Sequence, residues 1–265
     1  MTRCLIALGS NLGDRTAMLD GALEEFARLK GVSLENQSAW QLTLPVGGRS
    51  GQREFLNGAA LIETPVEPLD LLATLQQVEN RFGRVRGERW GNRTLDVDLL
   101  LYGESVIDLP QLTVPHPRMS FRRFVLDPAV EIAGEMLHPT IGWTLGQLLD
   151  HLDMGAECVA VVSQDKSARE AIAAALMASY ELIPSEATVE DELLWPEGDT
   201  TWLRLANEEP VRGHPKLTIL FGTGVDRMPG RGPTLELASL PTEDVEQEVF
   251  AAVEAVWPRL GRSPD

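Results

Sequence analysis

The sequence predicts an α+β protein in two parts. Three observations carry this: strand-like apolar runs interleave with helical apolar stripes, glycine and proline punctuate them at short intervals, and charge is unevenly divided along the chain. With 265 residues, 43% hydrophobic and 24% charged, the chain is long enough for one large or two ordinary cores, and its composition argues against wholesale disorder.

Residues 3–8 read as a strand, ended by Gly9-Ser10-Asn11-Leu12-Gly13. Asp14 can cap a helix running to about residue 30, where Met18, Leu19, Ala22, Leu23, Phe26 and Leu29 recur at helical spacing and Gly31 stops it. A second strand is expected over 32–44, a polar glycine-rich loop over 45–53, and a third strand over 55–63. Pro65 and Pro68 turn the chain into a second helix, about 69–82, with Leu71, Leu72, Leu75 and Val78 on one side. An arginine-dense loop, 83–93, precedes a strand over 95–102. Pro110, Pro115 and Pro117 punctuate the stretch after that strand, and shorter helices are expected around 121–132 and 144–152. Strand-helix-strand-strand-helix-strand is the order of the ferredoxin-like split βαβ plan, a sheet covered by helices on one face.

That first domain is expected to span 1–156. The rest, 157–265, reads as a smaller α/β domain: a strand over 158–163, an alanine-rich helix over 167–179, a strand over 180–184, and an acidic stretch over 185–199. Strand-like runs recur at 201–205, 217–221 and 234–238, then a helix over 242–257 with an acidic first turn. The strand, the Ser163-Gln164-Asp165-Lys166-Ser167 turn and the helix echo a P-loop kinase. The phosphate-cradling glycines are missing, so this unit reads as a degenerate P-loop kinase-like module for packing or for a protein partner.

The formal charge of −17, from 40 acidic against 23 basic side chains, argues against nucleic-acid and anionic-membrane partners. No apolar run approaches membrane-spanning length, and the first strand reaches Gly9 too soon for a secretory signal. Cys4 and Cys158 lack metal spacing and sit beside apolar residues, which suits buried free thiols. A reducing cytoplasm is the expected location.

Chemistry concentrates between residues 79 and 98. Arg81, Arg84, Arg86, Arg89 and Arg93 crowd a short glycine-interleaved stretch, and Asp96 and Asp98 come at once after it. Residues two apart on a strand share a face, so both carboxylates can reach one metal site. Magnesium commonly sits between one or two carboxylates and substrate phosphates. Cations for phosphate oxygens beside carboxylates for magnesium is the equipment of phosphoryl transfer.

Gly83-Arg84-Val85-Arg86, Arg89-Trp90-Gly91 and Arg93-Thr94-Leu95-Asp96-Val97-Asp98 resemble the core motif of the 6-hydroxymethyl-7,8-dihydropterin pyrophosphokinase family. Gly9 to Gly13, Phe55-Leu56-Asn57 and Leu112-Thr113-Val114-Pro115-His116 match too, so the resemblance covers about 1–155. It implies a ferredoxin-like α+β fold and transfer of pyrophosphate from MgATP to the pterin hydroxymethyl group, releasing AMP. It also implies that Asp96 and Asp98 hold two magnesium ions, that Arg84 and Arg93 stabilise charge on the transferring group, and that Arg86, Arg89 and Trp90 close over the nucleotide. Gln76, Glu79, His116 and Arg122 would contact ATP. Phe55 and Phe124 would sandwich the pterin, Asn57 would hydrogen-bond its edge, and Thr43, Pro45 and Val46 would read that edge from a loop. Plainer readings stand beside these: core packing for Phe55 and Phe124, loop anchoring for Trp90, and a tight turn for Gly9 to Gly13 in place of an Asn11 near the pterin. A catalytically silent nucleotide-binding or assembly protein is the alternative function.

Overall fold

The computed structural model describes residues 1–47, 51–84, 91–185, 200–206, 214–222, 232–237 and 242–260. The expected ATP contacts Arg86, Arg89 and Trp90, and nearly all of the acidic stretch 185–199, lie outside these. The chain divides into two compact units. The first comprises Met1–Met119, Arg123–Thr140 and Thr144–Gly146; the second comprises Ser120–Arg122, Ile141–Trp143 and Gln147–Asp265.

In chain order the first part contains β1 (Thr2–Ser10), α1 (Arg15–Arg28), β2 (Ser33–Gln37), β3 (Gln41–Thr43), β4 (Phe55–Thr64), α2 (Pro68–Arg81) and β5 (Asp96–Tyr102). The hairpin β6 (Ile107–Leu109) and β7 (Leu112–Val114) comes next, then α3 (Arg123–Ala133), β8 (Leu137–His138), β9 (Trp143–Thr144) and α4 (Leu145–Met154), most of α4 belonging to the second unit. The main sheet has the order β2-β4-β1-β5, with β3 also on β4, and its pairings are antiparallel. Asp14 caps α1 by accepting from the Ala17 N–H at 3.1 Å. Pro68 opens α2, where its missing N–H costs nothing.

The single strand expected over 32–44 is broken at Ser38-Ala39-Trp40. Ser38 N–H donates to Ala59 O, but the return bond from Ala59 N–H goes to Ser38 Oγ, at 2.9 Å, so a side chain stands where a ladder carbonyl would be. Trp40 then lies over Gly58, where any Cβ would collide with the indole, and its Nε1 donates to Asp20 Oδ1 at 2.8 Å.

Side chains alternate across the sheet. Cys4, Ile6 and Leu8 of β1, Ala60 and Ile62 of β4, and Val97 and Leu99 of β5 join Leu19, Phe26, Leu71, Leu75 and Val78 in one core under α1 and α2. Leu5, Ala59 and Leu61 are equally buried on the opposite face, and α3 packs against β4 and β1. Helices therefore cover both faces, not one as the element order implies. The buried stripe Val125, Leu126 and Ala129 of α3 needs a second apolar surface, and Leu5, Ala59 and Leu61 supply it.

The second unit is built on β10 (Ala156–Val162), α5 (Lys166–Ser179), β11 (Leu182–Ser185), β12 (Thr200–Leu205), β13 (Pro215–Leu220), β14 (Thr234–Glu236) and α6 (Thr242–Val256). Its sheet order is β11-β12-β10-β13-β14. Strands β10, β13 and β14 run parallel, and β12 is antiparallel to both neighbours. Tyr180 packs edge-on against Phe250 at 5.7 Å and donates to Glu254 Oε1 at 3.1 Å, which ties the end of α5 to α6. Glu157 takes both the buried Lys216 ammonium and the Trp257 indole N–H. Cys4 and Cys158 are buried free thiols, each pushed up to about 12 by burial. Among the described residues no helix is long and apolar enough to cross a membrane.

Candidate active site

The register of three strands places two chemistries on one row. Gly9 of β1 pairs with Asn57 of β4 on one side and with Asp96 of β5 on the other. Cross-strand partners share a face, so Asn57 and Asp96 flank a residue with no side chain. With strands about 4.8 Å apart, their Cα atoms lie roughly 10 Å apart across it. Glycine is required there, because a Cβ at Gly9 would stand 2.5 Å from Asn57 Oδ1. Phe55, two residues before Asn57, lies on the same face, and its ring edge is within 3.9 Å of that Cβ position. Asn57 Nδ2 donates to Thr43 Oγ1 at 2.7 Å, so β3 holds the amide in place. Pro45 and Val46 are half-buried in the loop after β3. Phe124 is half-buried on α3, the helix that packs on β4 and β3.

On the other side of Gly9, Asp96 and Asp98 are half-buried and alternate with buried Val97 and Leu99, so both carboxylates face the same way. Arg84 Nη1 lies 2.7 Å from Asp96 Oδ1, and Arg93 Nη1 donates to Asp96 Oδ2. Two guanidiniums thus converge on one carboxylate. Burial pushes the Asp96 carboxyl above its ordinary range and the Asp98 charge adds to that, while Arg93 and Arg84 oppose it. Among the described residues Asp98 makes no ion pair. Two carboxylates crowded on one face suit a hard divalent cation whose other ligands come from phosphates. No group of three or more His, Cys, Asp or Glu forms a metal cage among the described residues, which excludes there only a site made wholly of protein ligands.

Glu79 is enclosed by the fold. It is 2% exposed, and its Oε1 accepts from the Val97 N–H at 2.8 Å and from Arg84 Nη1. Its carboxylate therefore holds β5 and Arg84 from within. The signal is present in the sequence: Leu71, Leu75, Val78 and Glu79 fall on one buried stripe of α2, and a carboxylate on such a stripe needs internal partners. Gln76, one turn earlier, is half-buried. His116 is fastened to β5 by its backbone N–H, which donates to Leu100 O at 2.9 Å. Its Nδ1 accepts from the Arg118 N–H at 3.2 Å, which puts the proton of the neutral ring on Nε2. Arg122 is half-buried and is grouped with the second unit.

The profile of the 7,8-dihydro-6-hydroxymethylpterin-pyrophosphokinase (HPPK) family matches residues 5–134. A 2-amino-4-hydroxy-6-hydroxymethyldihydropteridine pyrophosphokinase of Haemophilus influenzae is 42% identical over 154 residues, 57% of this chain and 96% of that protein. The chain belongs to the HPPK family. The HPPK of Pseudomonas aeruginosa is 44% identical over 137 residues, 52% of this chain and 84% of its own length. A solved Plasmodium falciparum HPPK-DHPS chain with pteroate aligns at a TM-score of 0.45 and 13% identity, covering 56% of this chain and 42% of that one. The HPPK profile encloses every expected site residue, from Thr43 to Phe124, and stops before α4.

Proposed function

We propose that the first unit transfers the terminal pyrophosphoryl group of MgATP to the hydroxymethyl group of 6-hydroxymethyl-7,8-dihydropterin, releasing AMP. The observation that carries this is the Asn57-Gly9-Asp96 row, which sets a hydrogen-bonding, aromatic-edged slot beside a cation-and-arginine slot. Strand order and antiparallel pairing support a ferredoxin-like split βαβ fold for a domain of 1–156, with 157–265 as an appended α/β domain.

In this reading Phe55 and Phe124 hold the flat ring by offset aromatic contact. Asn57 offers a donor and an acceptor to the ring edge, with Thr43, Pro45 and Val46 bordering it. The pterin hydroxyl oxygen attacks the β-phosphorus and its proton passes to water, the bond from that phosphorus to the bridging α,β-oxygen breaks, and AMP leaves. The transition state is loose, so alignment and charge neutralisation matter more than a strong base, and no side chain is assigned as one. Arg84 and Arg93 meet the charge on the transferring group, His116 steadies the phosphates, and Arg86, Arg89 and Trp90 close over the nucleotide. Glu79 acts through Arg84. Asp96 and Asp98 would hold two magnesium ions, which when bound neutralise the phosphate chain and orient it.

The test is product identity. Incubation with MgATP and the pterin alcohol is expected to yield AMP and the pterin diphosphate. ADP would identify an ordinary kinase, free pyrophosphate a nucleotidyltransferase, and no turnover a silent nucleotide-binding or assembly protein.

A further inference from the structure

Asn11 is 1% exposed and sits just past β1. Its backbone N–H donates to Arg93 O at 3.1 Å, its Oδ1 accepts from the Arg93 N–H at 2.7 Å, and its Nδ2 donates to Asn92 Oδ1 at 2.8 Å. Three hydrogen bonds thus fasten the exit of the arginine-dense loop to the end of the central strand, across 82 residues of sequence. The orientation of the amide is fixed by chemistry, because only its oxygen can accept the Arg93 N–H. Arg93 in turn reaches Asp96, so its guanidinium is held at one end by this clamp and at the other by the carboxylate.

We propose that Asn11 is a positioning residue for the transfer step: it pins the Arg93 backbone and thereby aims the Arg93 guanidinium at the transferring phosphoryl group. This rests on the role given to Arg93 above. Long side chains lose their aim when their backbone shifts, and a misplacement of about 1 Å can cost on the order of 100-fold in rate. A buried amide whose two side-chain bonds go to Asn92 and Arg93, beside the backbone bond from Asn11 N–H to Arg93 O, prevents that shift before substrate arrives. No contact between Asn11 and substrate is needed.

The experiment compares Asn11→Ala, Asn11→Asp, Arg93→Ala and the Asn11→Ala/Arg93→Ala double variant. Thr64→Val serves as a control, since Thr64 is an equally buried hydroxyl at the far end of β4 that donates to Gly31 O. Asn11→Ala is expected to lower kcat about 10- to 100-fold with little change in either KM. Asn11→Asp keeps the acceptor for the Arg93 N–H and recovers most of the rate. The double variant is no slower than Arg93→Ala alone, since the clamp acts only through that arginine. In the protein without substrate, hydrogen exchange at the Arg93 amide is slow in the wild type and in Asn11→Asp, and fast in Asn11→Ala. Full turnover in Asn11→Ala, an Asp variant no better than the Ala variant, additive losses in the double variant, or an equal loss in Thr64→Val would each overturn the proposal. Full turnover in Arg93→Ala would overturn the reading of Arg93 and the proposal with it. A slow Arg93→Ala beside a normal Asn11→Ala would overturn the proposal alone.

Discussion

Each unit contains a strand, a turn and a helix capped by aspartate, and among the described residues the two differ in what surrounds that motif. β1 leads through Gly9 to Gly13 into α1, capped by Asp14, and β10 leads through Ser163 into α5, capped by Asp165. In both, the cap carboxylate accepts backbone N–H groups at the helix start. The difference lies in the neighbouring strands. Gly9 is flanked by Asn57 and Asp96, whereas Val162, at the equivalent end of β10, is flanked by Thr200 and Leu220. The arginines differ in the same sense. Arg84 and Arg93 converge on the half-buried Asp96, while Arg169 is 6% exposed and turns its guanidinium onto Ser163 O and Thr201 Oγ1. A strand-turn-helix becomes a site only when its cross-strand neighbours present chemistry around an open position.

The largest effect is expected at Glu79. Replacing it by Leu leaves the Val97 N–H without its acceptor and Arg84 without its inner partner. Breaking one side of a buried charged pair costs about 3–5 kcal/mol, so denaturant unfolding should show a loss of that order. Glu79→Gln, which keeps an acceptor for Val97, should recover part of the stability but not the turnover. A Leu variant of normal stability would mean that the site is held together by something other than this carboxylate.

Next come the two arginine types. Arg93→Ala should lower kcat about 10²- to 10³-fold, the loss of about 3–4 kcal/mol seen when one preorganised charge donor is removed, with little change in stability. Arg169→Ala should do the opposite, lowering the melting temperature while kcat stays within about twofold. Steady-state kinetics and thermal melts on both variants test the contrast directly.

The placement of Arg93, Asp96 and Asp98 can be read from residue order, because alternation on a strand is a local property. The bounds of β1, α1, β4, α2 and α5 likewise come from local signals: Asp caps, Pro68 and apolar stripes. The features hidden from a reading of the sequence are those decided by tertiary partners. Nothing near Ser38 announces that its hydroxyl replaces a ladder carbonyl, or that Trp40 needs the space above Gly58. The covering of the second sheet face is equally hidden, because α3 finds its apolar partner on strands much earlier in the chain. Asn11 is ambiguous in sequence for the same reason, since its three bonds go to residues about eighty positions away.

Acid sharpens the comparison between the units. Burial lowers the pKa of His138, in the first unit, to about 4. From pH 6.5 down to 4 the unfolded chain takes up a proton that the folded state refuses. The first unit should therefore lose up to about 3 kcal/mol across that window, and nothing above it. His138→Asn should flatten this dependence. His151, in the second unit, is also pushed down by burial, so hydrogen exchange in the second unit should keep its acid sensitivity in the same variant. Loss of sensitivity in both units would mean that they unfold as one.

The smallest effect is expected at Asp165, in the turn where a P-loop kinase would cradle phosphate. Its exposed carboxylate accepts from Ser167 Oγ and from the Ser167 and Ala168 N–H groups, and these bonds hold its pKa below the ordinary range. The stabilisation is therefore present above that range and is lost as pH falls through the depressed value. Asp165→Ala should lower the melting temperature slightly at neutral pH, and the difference from wild type should vanish in strong acid. An anion could then approach the uncovered amides, but no glycine-rich turn is there to wrap it and the adjoining row of Thr200, Val162 and Leu220 offers no cation, so ATP affinity at the second unit should not rise. If calorimetry on the variant showed a second ATP site, the cap alone would have been masking a phosphate cradle, and the cross-strand row would lose its place as the deciding feature.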